Sequence, residues 1–567
     1  MSRRSGGSIG AGAAIMAAGT AVSRVLGMVR NMVLIWVIGT VSLAANAFQL
    51  ANSLPTYLYN LLISGGLTAV LVPQVVRAYK RGDGQEYVNR LLSLGFLLLI
   101  GLTVVLTAAV PLVVMLYGLG DGSPDRLGLA IAFAWWTMPQ LFFYGMYALL
   151  GQVLNARGSF GPFMWAPAAN NVVSIATLVL FIVMFGAWQD DAPEAWSGGQ
   201  IAVLAGGATL GIVAQALFLL PAMRRAGLHF RFRWGYRGVG LGAAGAATLW
   251  TFVALLIGQV GIIAVSQAAN AATDAVGNTA VVAGQAAYAN AFMIFMLPHS
   301  LITLSLITAL FPRMSAQAAD RDHGAVAHTL SKGMRVVGLF TLLAGALGVL
   351  LADPLVRVVL PTASTEAVPV IGQVLAAFMI GLPAFGIWSV AQRVYYANEN
   401  ARGLVPVAIG MAAVVLLGTV GVRLLLPPSL WVVGAALAMS ASYLLASGMT
   451  LVGLKQRLGT VGGSAMLRTY LRANIAVLLA AGAGLIALLS LRMVGLVESA
   501  GLSAGLTGLQ PWWLWRWAAA LAVCVIVGAV TTAVYVLVLK SLRVSELDLL
   551  LRGVRRMTHR LRRSRSG

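Results

Sequence analysis

The stretch Leu94–Gly118, LGFLLLIGLTVVLTAAVPLVVMLYG, runs 25 residues without a charged side chain. It does not alternate apolar with polar, so it does not read as a strand of a membrane β-barrel. At 1.5 Å per residue it is long enough to cross about 30 Å of hydrocarbon as a helix. The composition of the whole chain agrees with this reading. Charged residues make up 10% and apolar residues 59% of its 567 residues, against about 25% charged in ordinary soluble domains. A soluble fold would lack the polar surface to cover itself. The chain therefore reads as an all-α polytopic membrane protein with about 14 transmembrane helices, from 9–40 at one end to 513–539 at the other. Several spans exceed 25 residues and contain Pro55, Pro73, Pro139, Pro298 or Pro383, which predicts tilted or broken helices.

The loops orient these helices. With the N-terminus inside, inner segments hold 31 of the 38 Lys and Arg, among them Arg77, Lys80, Arg81, Arg224, Arg225, Arg231, Arg233, Lys455 and Arg457. Outer segments hold five (Arg126, Arg357, Arg423, Arg492, Arg516), while nine of the sixteen acids lie outside. That positive-inside bias predicts a multi-pass plasma-membrane protein with both termini cytoplasmic. The net charge of +22 is then mostly topology. The basic tail after Lys540 could bind nucleic acid in principle. Beside a final span, its expected partner is the anionic lipid of the inner leaflet.

Two charges break the pattern. Arg24 and Arg30 lie in the first apolar stretch with no acidic residue nearby in sequence. Intramembrane charge is retained where it faces a cavity and an anion, so a negatively charged substrate is expected. A guanidinium presents a planar fork of donors that matches phosphate oxygens. Six residues apart on a helix, the two side chains diverge by about 120°, so both can border one cavity without sharing a face. The alternative for either arginine is an anchor, with the span starting near Val25 and Arg24 snorkelling to its inner edge. Neutral amides extend the candidate site: Gln49, Asn52 and Asn60 in the second span, Asn170 and Asn171 in the fifth, Asn290 and His299 in the eighth. Each also has a bland reading as a helix–helix hydrogen bond, and His299 could merely satisfy carbonyls freed by Pro298.

An internal repeat suggests the plan of the molecule. LPTYLYNLLISGGLTAVLVPQV from Leu54 has a counterpart in LPHSLITLSLITALFPRM from Leu297. QVLNARG from Gln152 likewise has one in QRVYYANENARG from Gln392. This predicts two six-helix lobes, 1–225 and 226–456, followed by two further helices in 457–540 and a basic cytoplasmic tail, 541–567. Repeats of this kind place a substrate site between lobes and permit alternating access.

SRVLGMVRN from Ser23, the NSLP and SGGLTAVLVP pieces of the second span, LNARGSFGPFMWAPAANN from Leu154 and LPHSLITLSLITALFPRMS together resemble the MurJ (MviN) lipid II flippases of the MOP exporter superfamily. The likeness covers most of residues 8–455. It implies a V-shaped, two-lobed transporter that carries an undecaprenyl-pyrophosphate-linked peptidoglycan precursor, lipid II, from the inner to the outer leaflet, with 457–540 forming a groove for the lipid tail. It also implies that Arg24 and Arg30 are cavity cations. The family's acidic residue early in the second helix corresponds to Asn46. Its second-helix arginine falls near Tyr59, and its eighth-helix arginine near Met293.

Enzyme chemistry finds no foothold. The adjacent acids Asp190 and Asp191 have no second cluster with which to hold magnesium against a pyrophosphate, and Ser-His-Asp, HExxH and phosphate-loop spacings are absent. Cys524 is the only cysteine, which excludes an internal disulfide. No cofactor is expected. Besides the flippase, the alternatives are an exporter of another polyprenyl-linked oligosaccharide or a drug, and a non-transporting scaffold that binds cell-wall synthesis or division proteins.

Overall fold

The computed structural model describes residues 5–64, 78, 84–118, 124–187, 192, 195–234, 245–277, 281–398, 400–459, 462–499, 513–544 and 546–547. The later part of the expected second span (65–76), the inner-loop cations Arg77, Lys80 and Arg81, the pair Asp190 and Asp191, and the basic tail beyond Leu547 lie outside these residues.

The described residues contain helices and no strands. Among the described residues, thirteen helices are long and apolar enough to cross a membrane. A further helix, Leu43–Ser64, completes the expected fourteen; Asn46, Gln49, Asn52 and Asn60 keep it from qualifying on composition. In chain order they are α1 (Ser5–Ile38), α2 (Leu43–Ser64), α3 (Gly84–Ala108), α4 (Pro124–Ala156), α5 (Gly161–Phe185), α6 (Gly198–Arg225) and α7 (Gly245–Val276). They continue with α8 (Gln285–Ala319), α9 (His323–Leu350), α10 (Ala367–Ala397), α11 (Val405–Leu425), α12 (Trp431–Leu458), α13 (Gly463–Met493) and α14 (Trp513–Ser541).

Proline explains some breaks and not others. The apolar run that continues α3 is interrupted at Ala109, just before Pro111, and α4 is interrupted beside Pro139. A proline has no N–H to give the carbonyl four residues back, and after Pro298 the helix widens into a π-turn over His299–Thr303. Pro55 and Pro383, by contrast, sit inside helices that run on without interruption.

The chain forms two compact units. The first comprises 1–286 with 362–364 and 427–429, and the second comprises 287–361, 365–426 and 430–567. This division follows which helices touch, whereas the division at 225/226 follows sequence repetition, and α7 accounts for the difference. Helices within each unit meet through small residues, as expected where lipid offers no hydrophobic drive for association. In the second unit a Cβ on Gly381 would lie 2.7 Å from Ser440 Cα. The close approach lets the Ser440 hydroxyl donate to the Ala377 carbonyl at 2.7 Å, and Ser447 repeats the contact one level away, donating to Ala384 O at 2.7 Å. Helices α13 and α14 join this unit through phenols: Tyr470 donates to Met334 O (2.8 Å) and Tyr535 to Leu339 O (2.9 Å), both on α9. Arg335 on α9 pairs with Glu546 beyond the end of α14.

Candidate functional site

Within the first unit, α1, α2 and α4 bring polar groups together around Arg30. Arg30 as a residue is half-buried and interacts electrostatically with Tyr144 on α4. Among the described residues no acid pairs with it. The Tyr144 ring packs against Tyr59 on α2, with centroids 5.2 Å apart, and its hydroxyl hydrogen-bonds to Thr56. One helical turn on, Tyr147 stacks on Phe163 at 4.7 Å and donates to Phe163 O at 3.0 Å. A phenol neighbour leaves a guanidinium its charge and its donors, so Arg30 retains the capacity to bind an anion.

A second chain of polar groups runs alongside. Gln140, buried on α4, donates to Asn52 Oδ1 (3.2 Å) on α2 and to Thr209 Oγ1 (3.1 Å) on α6, and Thr209 donates to Trp136 O at 2.7 Å. Gln49 donates to Ser53 on its own helix at 3.0 Å. Asn52 and Gln49 are half-buried, while Arg24 and Asn60 are exposed.

Three of the expected site amides hold helices together. Asn46 is fully buried. Its amide nitrogen donates to Ser42 O at 2.9 Å, and its oxygen accepts from the Ala286 backbone at 2.8 Å, tying α2 to the start of α8. Gly284 makes this possible, because a Cβ there would fall within 2.7 Å of the Asn46 amide group. Asn170 donates to Gln215 Oε1 (3.1 Å) and accepts from Ser174 (3.1 Å), the second contact lying against Gly211 of α6. Asn171 donates to Ser23 O at 2.8 Å and so fastens α5 to α1. Each of these side chains is 7% exposed or less, which leaves it little surface for a ligand. Asn290 lies half-buried on α8 in the second unit. His299 is buried there too, its ring 4.2 Å from that of Phe385 and its Nδ1 without a hydrogen bond.

Sequence reasoning missed Tyr144, Gln140 and Gln215, because a tyrosine or glutamine in an apolar run carries no mark of what it faces. It also placed Arg126 in an outer loop. In the structure Arg126 is 1% exposed at the start of α4. It forms an ion pair with Asp274 near the end of α7 and donates to Asn270 O (3.2 Å), Asn270 Oδ1 (2.9 Å) and Thr273 Oγ1. All its partners lie more than 140 residues away in sequence.

The sequence model of a family described as lipid II flippase MurJ matches residues 17–502. A Haemophilus influenzae protein named as a probable lipid II flippase MurJ is 29% identical over 458 residues, covering 76% of this chain and 84% of its own length. The lipid II flippase MurJ of Burkholderia cenocepacia is 25% identical, with 77% and 82% covered. Among solved structures, a lipid II flippase MurJ in an inward closed conformation superposes with a TM-score of 0.62 at 18% identity, over 91% of this chain and 98% of that one. An inward-facing multidrug resistance MATE transporter of the MOP superfamily gives 0.60 at 14% identity, over 76% and 95%. At these identities the structural likeness shows the fold alone.

Proposed function

The chain belongs to the lipid II flippase MurJ family, and from that membership we propose that it carries lipid II from the inner to the outer leaflet by alternating access. The observation supporting a headgroup role within this chain is Arg30, an intramembrane guanidinium with a tyrosine neighbour and no acidic partner among the described residues. Arg30 takes the pyrophosphate through its fork of donors. Arg24, a turn and a half away and exposed, engages the same anion or steers it from the cytoplasmic side. Gln49 and Asn52 supply neutral donors and acceptors to the sugar and peptide. Tyr59 borders Arg30 through Tyr144, where the resemblance implies a further arginine.

The lipid tail lies along α13. Leu467, Leu471, Ile475, Leu478 and Leu479 leave more than half of their side-chain surface uncovered by protein, and α13 is attached to the second unit by its opposite side. The termini are cytoplasmic. The energy source is the membrane potential: two negative charges moving outward across 100 mV gain about 4.6 kcal/mol, at roughly 2.3 per charge.

The deciding experiment is lipid II flipping by the purified chain in vesicles. The proposal expects flipping that collapses with valinomycin under high external potassium, survives nigericin, and is lost in Arg30→Ala at normal membrane abundance. Normal flipping by that variant would remove Arg30 from the mechanism, and no flipping by the wild-type chain would remove the function.

A further inference from the structure

In the second unit, the ends of α9 and α13 and a turn of α10 line an open cavity of about 570 Å³. Three polar side chains line it. Asp353 opens the short helix Ala352–Val359, Gln373 belongs to α10, and Arg492 lies at the end of α13. None of the three makes a hydrogen bond or an ion pair with another described residue. The remaining walls are apolar, chiefly Leu350, Pro354, Leu488 and Val497.

The carboxylate is set in place by a glycine. A Cβ on Gly372 would overlap the Asp353 carboxylate, so the bare α10 backbone at this position makes room for the acid at the cavity wall. An acid in the first turn of a helix has a structural reading too, since the helix dipole favours it there. That reading does not account for an unpaired guanidinium and a free amide across the same space. A carboxylate and a guanidinium that share a cavity without pairing form a site for a ligand carrying both a cation and an anion.

We infer that this cavity binds the headgroup of an aminophospholipid, with the ammonium on Asp353, the phosphodiester on Arg492 and the glycerol ester carbonyls beside Gln373. The location suits such a ligand. Leu350 and Met493 end their spans here, which sets the cavity at the level where headgroups meet hydrocarbon. Val349 and Leu489, on its rim, are 42% and 49% exposed and offer apolar surface to acyl chains. The ammonium of a phosphatidylethanolamine donates three hydrogen bonds. A choline headgroup donates none, and a glycerol headgroup has no positive charge to meet the carboxylate.

The test is native mass spectrometry of the full chain in detergent, titrated with dioctanoyl phosphatidylethanolamine, phosphatidylcholine or phosphatidylglycerol. The wild type should bind the ethanolamine lipid roughly tenfold more tightly than either of the others, about one charge-assisted hydrogen bond's worth of preference. Asp353→Asn should remove the preference while leaving residual binding of all three. Arg492→Gln should weaken all three together. Gly372→Ala, which displaces the carboxylate, should behave like Asp353→Asn. If either variant at Asp353 or Gly372 fails to fold, Gln373→Ala, on an exposed side chain, should still lower affinity for the ethanolamine lipid. Equal binding of the three lipids by wild type, or an unchanged preference in folded Asp353→Asn, would overturn the assignment. Equally tight binding of free phosphoethanolamine would make this a soluble-ligand site and overturn the lipid reading.

Discussion

Arg126→Ala is expected to destabilise the first unit strongly. The Arg126 side chain is 1% exposed and that of Asp274 17%. The guanidinium also satisfies the Asn270 side-chain oxygen and its backbone carbonyl, at 2.9 and 3.2 Å. Removing it leaves a largely desolvated carboxylate with no counter-ion and an amide oxygen with no donor. Breaking one side of a buried pair costs about 3–5 kcal/mol, whereas replacing both partners with apolar groups of similar size is often close to neutral. Unfolding entropies of about 2.1 cal/mol/K per residue, applied to a unit of this size, convert that loss into a fall in melting temperature of at least about 5 °C. The assay is thermal unfolding in detergent at neutral pH of wild type, Arg126→Ala, Asp274→Leu and the double variant Arg126→Met with Asp274→Leu. The double variant should recover most of the loss, giving a coupling energy of about 2 kcal/mol or more. Arg126→Ala melting within a degree of wild type, or a double variant no better than the worse single, would refute the view that this pair joins α4 to α7.

Other expectations follow from the same geometry. Arg30→Lys should flip lipid II more slowly than wild type but faster than Arg30→Ala, because an ammonium keeps the charge and loses the planar fork; equal rates for Lys and Ala would assign the role to something other than charge. Burial pushes the Asp353 carboxyl up to about 6, above the unfolded value of about 3.9. The folded state therefore holds more protons between about pH 4 and 6, and stability should fall as pH rises through that window, by up to about 2–3 kcal/mol. Melting curves of Asp353→Asn should lack that slope, and a wild type that gains stability from pH 4.5 to 6.5 relative to Asp353→Asn would contradict it. For orientation, a cysteine at Gly198, where a side chain meets nothing within 4 Å, should react with an impermeant maleimide added outside. One at Ala319, an exposed position at the end of α8, should not, and the reverse pattern would invert the topology.

Much of the fold was legible without coordinates, because hydrocarbon imposes one rule on every span: the backbone must satisfy its own hydrogen bonds, and the side chains must be apolar over about 20 residues. Leu94–Gly118 announces a helix whatever it packs against. Arg24 and Arg30 likewise announce themselves as exceptions by charge alone, and the second helix announces itself by its amides. Which partner each polar group meets was not legible. Asn46, Asn170 and Asn171 read as candidate ligands for a headgroup, yet each is buried against another helix, and the approach of Gly284, Gly211 or Gly27 explains why an amide fits there. Arg126 read as a loop cation until α7 brought Asp274 to it from 148 residues away. Asp353, Gln373 and Arg492 lie on three separate segments, and nothing in their spacing marks them as neighbours. Periodicity and hydropathy are local properties that each span carries with it. The pairing of a buried charge depends on which helix face lies opposite, and that is decided only when all the helices pack together.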